Sequence, residues 1–126
     1  MASKAVLMTA LFDQFMSFIG ELTEIYPEDP DFPLLSTSVR LLKNTNPSIL
    51  AKYICDSVNH FEDKIMSRDE KFFLDNDFAD YNGYVDMNIF QKLKHYVSNM
   101  SVSSKECVWK YLQNISRLAK ACQSFA

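Results

Sequence analysis

Apolar side chains recur along this chain at alternating steps of three and four residues, and no stretch alternates at period two. That rhythm gathers side chains on one side of an α-helix, whereas a half-buried strand needs every second residue apolar. The clearest rows are Leu11, Phe15, Phe18, Leu22 and Ile25 near the start, and Val108, Leu112, Ile115, Ala119 and Cys122 near the end. Two Gly and four Pro among 126 residues leave little material for hairpin turns. A chain of this length holds one core, since dividing it would leave two cores too small to be stable. The expected fold is all-α: one domain over 1–126, a bundle of five to seven helices, with a long N-terminal helix and a C-terminal antiparallel helix pair.

The first helix is expected from about Lys4 to Tyr26, with Val6, Phe12 and Ile19 widening its buried face. Gly20 inside it costs about 1 kcal/mol relative to Ala, which a close helix crossing there would offset. Pro27 and the Asp29-Pro30-Asp31 cluster end the helix. Asp31 is the expected cap of a second helix that turns Leu34, Leu35, Val39 and Leu42 inward. Asn46 caps a third helix with Pro47 in its first turn. Leu50, Ile54 and Val58 form the buried row of that helix, flanked by Ile49, Tyr53 and Phe61. Glu62 to Phe73 reads as short helical turns, and an acidic loop of about 75–86 follows, tacked down by Phe78, Tyr81 and Tyr84. Asp86 then caps a helix carrying Phe90, Leu93, Val97 and Met100. For the final helix, Ser103 and Glu106 are spaced as a capping box, and Trp109 and Leu118 lie beside the buried row.

Charge is unevenly spread. Residues 1–59 carry 4 basic and 7 acidic side chains, residues 60–86 carry 3 and 8, and residues 87–126 carry 6 and 1. The net charge of −3 gives no overall positive field to draw in a phosphate backbone. Two readings stay open: the segments complement one another inside one fold, or the basic C-terminal face meets an acidic partner or nucleic acid. For the second, Lys110, Arg117 and Lys120 share a helix face and Tyr111 offers a stacking surface.

The residues that usually carry chemistry are not arranged for it. Asp75, Asp77, Asp80 and Gly83 fit neither register of a calcium loop, because Ala79 falls on a ligand position in both. Cys55, Cys107, Cys122, His60 and His95 lack any paired zinc-ligand spacing. Three distant cysteines suit buried free thiols in a reducing compartment. No glycine-rich phosphate loop or nucleophile elbow appears. Ala5 to Phe12 faintly mimics a signal peptide, but Asp13 interrupts it, and no run approaches the roughly 20 apolar residues that span a bilayer. The expectation is therefore no enzyme, no cofactor, no metal and no membrane.

Three segments carry a resemblance: Thr45-Asn46-Pro47, then Asp69-Glu70-Lys71-Phe72-Phe73-Leu74 with Asp77 beyond, then Val108-Trp109-Lys110-Tyr111-Leu112-Gln113. In this order and spacing, with Ile25-Tyr26-Pro27 closing the first helix, the chain resembles a family of small helical proteins from large and giant DNA viruses of protists. That resemblance implies a viral origin, a helical fold and no established activity. It also implies action in the infected host cell, in the cytoplasm or virus factory, or in the virion. Physically, the shared residues read as structural. Asp69-Glu70 suits a first helical turn, Phe72 and Phe73 anchor the acidic loop, and Trp109 buries its rings.

Ten Phe, six Tyr and one Trp are many for one small core. An aromatic patch left outside would be covered by self-association; a core built largely from Phe is the other reading. The expected function is thus a non-enzymatic viral protein acting by protein–protein interaction, as a homodimer. Nucleic-acid binding through Lys110, Tyr111, Arg117 and Lys120 is the alternative.

Overall fold

The computed structural model describes residues 3–71 and 89–123, Phe90 by its backbone alone. Phe72, Phe73, the acidic loop of 75–86 and Asp86 lie outside the described residues. The described residues form six α-helices and no strand: α1 Lys4–Ile25, α2 Asp31–Thr45, α3 Pro47–Asn59, α4 Glu62–Met66, α5 Ile89–Val97 and α6 Val102–Gln123. The fold is an all-α bundle. The long terminal helices α1 and α6 pack on each other most extensively; α2 covers α1 and α3, and α3 and α4 cover α6.

The expected rows supply this core. Leu11, Phe15, Phe18 and Leu22 of α1 are buried, as are all five residues of the α6 row and Leu50, Ile54 and Val58 of α3. Trp109 is buried as well, at 6% exposure. The Asn46 carboxamide accepts the Ile49 amide at 3.3 Å, so the predicted cap of α3 is in place.

Several local expectations are corrected. Val6 is 58% exposed, because it shares a row with exposed Thr9 and Asp13 rather than with the core residues. In α2, Phe32 is buried and Leu34 is not, since Phe32, Leu35 and Val39 define the inward row. Pro30, not Asp31, occupies the cap position of α2 and caps nothing with its side chain. The Asp29 carboxylate accepts the Asp31 amide at 2.9 Å instead. At α6, Ser101 rather than Ser103 caps, accepting the Ser104 amide at 3.1 Å. Glu106 is drawn away by Arg68, which bonds both its carboxylate oxygens at 2.9 Å. Finally, α1 is long and apolar enough, by length and composition, to cross a membrane, against the expectation that no run is. Its apolar row is invested in the bundle core.

Gly20 sits on the exposed side of α1, and a Cβ there would meet nothing within 4 Å. No close crossing offsets its helix-breaking tendency, so Gly20→Ala is expected to raise unfolding stability by about 1 kcal/mol in urea titrations. A loss of stability would mean that this face is covered.

The end of α4 shows a second backbone feature. Arg68 has φ 54, in the left-handed region, and its amide bonds the Ile65 carbonyl while the Asp69 amide bonds that of Lys64. This is a Schellman cap with arginine where glycine is usual. Arg68→Gly relieves the backbone strain while losing the Glu106 pair, whereas Arg68→Ala loses the pair and keeps the strain. Chemical denaturation should find the glycine variant more stable than the alanine one by about 1 kcal/mol.

Candidate functional site

The most elaborate polar cluster lies where α1 turns into α2. Pro27 and Pro30 break the helix, and the intervening chain presents Asp29 and Asp31 to α5. Lys92 bonds Asp29 at 2.6 Å and Asp31 at 2.8 Å. The Tyr96 hydroxyl donates to the same Asp29 carboxylate. Tyr96 stacks on Tyr26 with ring centroids 3.7 Å apart, and the Lys92 ammonium lies 5.6 Å from the Phe32 ring centre. Two segments distant in sequence, the α1–α2 turn and α5, are thereby held at one corner, beside a shallow cleft of about 710 Å³.

The electrostatics follow from this geometry. Burial works to raise the Asp29 carboxyl. The Lys92 ammonium, the Tyr96 hydroxyl and the Asp31 amide together outweigh it and hold the group at about 2. Burial likewise works to lower Lys92, and the two carboxylates outweigh it, so its ammonium is raised. The Tyr96 hydroxyl is raised, first by its bond to Asp29. None of these shifts brings a proton transfer toward neutral pH, where general acid–base work would need it.

A folded value near 2 against an ordinary 3.8 means the fold favours the ionised Asp29. Its contribution is present above about pH 4 and is lost as pH falls toward 2; the shift corresponds to roughly 2 kcal/mol. Asp29→Asn should therefore flatten the stability profile of the protein below pH 4. A profile identical to wild type would remove Asp29 from the account.

The four residues expected to face nucleic acid or a partner meet different fates. Lys110 and Arg117 are exposed on α6, with Arg117 bonding Asn114 at 3.1 Å. Lys120 pairs with Glu62 at 3.3 Å. Tyr111 stacks on Phe18, ring centroids 5.5 Å apart, so one of its faces is already used. Lys105 pairs with Glu70 at 2.7 Å. Much of the basic C-terminal charge is thus matched by acidic residues of the same chain.

The thiols are quiet. Cys55 and Cys122 line one cleft of about 330 Å³ with Met8 and Ala51. Burial pushes the Cys55 thiol up to about 11, aided by neighbouring Cys122 and Asp56. Burial also raises Cys107 and Cys122. Protonated thiols are weak nucleophiles and weak metal ligands. Among the described residues no three His, Cys, Asp or Glu side chains group to hold a metal ion.

No family model, curated protein or solved structure matches the chain.

The Trp109–Gln113 run acquires a structural reading. Trp109 and Leu112 are buried, Tyr111 lies on Phe18, and the Gln113 carboxamide donates to the carbonyls of Ile65 and Met66 at 3.3 and 3.2 Å. Those are carbonyls of the last turn of α4, of which Ile65 also accepts the Arg68 amide of the cap. The Asp29–Lys92–Tyr96 corner carries one signal in the sequence, the Asp-Pro-Asp spacing, which marks a turn without naming a partner 67 positions away.

Proposed function

We propose that this chain is a non-enzymatic viral protein that acts by protein–protein interaction in the infected host cell, in the cytoplasm, virus factory or particle, and that it self-associates. The viral setting rests on the resemblance of the Thr45-Asn46-Pro47, Asp69–Leu74 and Val108–Gln113 segments. The mode of action rests on one observation: Leu34 and Leu41 of α2 are 64% and 61% exposed and seven residues apart on one side of the helix, whereas the other exposed large hydrophobics, Val6, Met66 and Val102, stand on three different helices. Exposed aliphatic side chains scattered singly are ordinary, and this reading takes the two leucines, which share a helix face, as part of a contact surface. Among the described residues the exposed large hydrophobics are aliphatic or Met, with no aromatic. This reading rests on the aliphatic pair, the side chains of Phe72, Phe73, Phe78, Tyr81, Tyr84, Phe90 and Phe125 lying outside the described residues.

The polar groups point the same way. Asp29, Asp31, Lys92 and Tyr96 line the shallow cleft, and Lys92 and Tyr96 spend their polar groups on the two carboxylates. Nucleic-acid binding has less support, since Lys120 is paired within the chain and Tyr111 is partly covered. Light scattering over a wide concentration range tests the reading. A rise from monomer toward dimer mass is expected, and a strict monomer at millimolar concentration would count against it. Retention on DNA or RNA that weakens with salt would favour the alternative.

A further inference from the structure

We propose that Cys55 of α3 and Cys122 of α6 form a redox-sensitive pair, which joins into one disulfide under oxidising conditions and fastens the last turn of α6 to α3. The two cysteines are far apart in sequence but line one cleft, and each is 6% exposed. The Cys55 thiol reaches across the helix interface to the Ala119 carbonyl, at 4.0 Å. A helical carbonyl points toward the C-terminus of its helix, so this thiol sits against the turn of α6 that carries Cys122.

The packing suits a short bridge. A disulfide needs Cα atoms within about 4.4–6.8 Å of each other. Cα atoms stand about 2.3 Å off a helix axis, so facing positions on helices about 8–10 Å apart come within that reach. α3 and α6 pack on each other directly. Small residues permit a close approach beside the pair: Ala51 lies one turn before Cys55, and Ala119 one turn before Cys122. Cys107 lies fifteen residues before Cys122 on α6, about 22 Å along the axis, too far to compete.

Cys122 is the expected first nucleophile. The Lys4 ammonium on the rim of the cleft favours its thiolate, whereas Asp56 and Cys122 itself oppose ionisation of Cys55. The oxidant is a small-molecule disulfide such as oxidised glutathione. The Cys122 thiolate attacks one of its sulfurs, forming a mixed disulfide and releasing one glutathione thiolate. The Cys55 thiolate then attacks the Cys122 sulfur and expels the second. The two cysteines lose two electrons and two protons, which leave as two glutathione thiols. Burial raises both cysteine thiols, so the exchange is slow at neutral pH. The pair therefore stays reduced through brief excursions and closes under sustained oxidation. Once closed, it spans the chain from α3 to the end of α6 and restricts the unfolded state most.

The test is oxidation of the folded Cys107→Ser protein by oxidised glutathione at about pH 8.5, where a larger share of each thiol is ionised, followed by intact mass measurement and peptide mapping. The mass should fall by two hydrogens, with Cys55 and Cys122 joined and no glutathione retained. Cys55→Ala in the same background should instead keep one glutathione on Cys122. The joined form should melt about 10 °C above the reduced form, a gap that dithiothreitol abolishes. Circular dichroism before oxidation shows that each variant is folded. Two thiols left free, glutathione retained on both, or a cross-link that appears only in urea overturns the pair. A cross-linked protein that melts with the reduced one overturns the fastening of α6.

Discussion

Lys92→Ala is expected to destabilise the protein by about 3 kcal/mol, the cost of leaving a buried carboxylate without its cation. The Asp29 side chain is only 8% exposed and that of Lys92 20%, so neither recovers full hydration when the other is removed. Loss of the ammonium above the Phe32 and Tyr96 rings adds about 0.5–1 kcal/mol. Asp31 contributes less, because its side chain is 47% exposed and water replaces the lost partner. Lys92→Met keeps the aliphatic stem packed and separates charge loss from packing loss. The decisive comparison is a cycle with Asp29→Asn. The double variant should be more stable than the sum of the singles predicts, by about 1–3 kcal/mol. That coupling should fade as pH falls from 4 toward 2, where Asp29 takes up its proton. Additive losses at pH 7 would reduce the corner to an ordinary surface ion pair.

The helices were legible because burial in a bundle depends on period, and period is written in the sequence. The α3 and α6 rows carry one apolar face each, so the reading there has no competitor. Phase is harder where apolar residues crowd together. Phe32, Leu34 and Leu35 all qualify, and the choice of Phe32 is made by Tyr26 and Tyr96, whose rings lie 6.2 and 6.1 Å away. Val6 failed for a related reason: it continues a greasy run but sits two turns from Asp13, on the solvent side. Caps failed because a local motif does not know its distant competitors. Glu106 has the right spacing to serve Ser103, yet Arg68 offers it two charge-assisted bonds. Asp31 could cap α2, yet Lys92 claims its carboxylate.

The candidate sites were less legible than the fold. Helical spacing groups Lys110, Arg117 and Lys120 on one side of α6 and is silent about their neighbours. Pairing of Lys120 with Glu62 crosses 58 positions. The division of charge along the chain was the better guide, since Lys92, Lys105 and Lys120 all meet carboxylates from the first 70 residues. Exposure of Leu34 and Leu41 was invisible for the same reason as burial of Phe32. Only the packed neighbours decide which side of α2 faces outward.

Trp109→Ala should cost about 3–5 kcal/mol, a large share of the 5–15 kcal/mol that stabilises a typical domain. Trp109 is 6% exposed, and it belongs to the helix that packs on both α1 and α3. Truncation would open a cavity in the bundle, and helices held by other contacts cannot fully collapse into it. Neighbouring positions make the test specific. Lys110→Ala, on the exposed side, should change stability by less than about 0.5 kcal/mol. Gln113→Ala should cost about 1 kcal/mol, because it removes the side-chain bonds from α6 to the last turn of α4. A run selected to bind a partner would behave in reverse, with Lys110 mattering for binding and Trp109 replaceable without unfolding. If denaturant titrations found Trp109→Ala as stable as wild type, the Trp109–Gln113 run would have to be reassigned from core to contact surface.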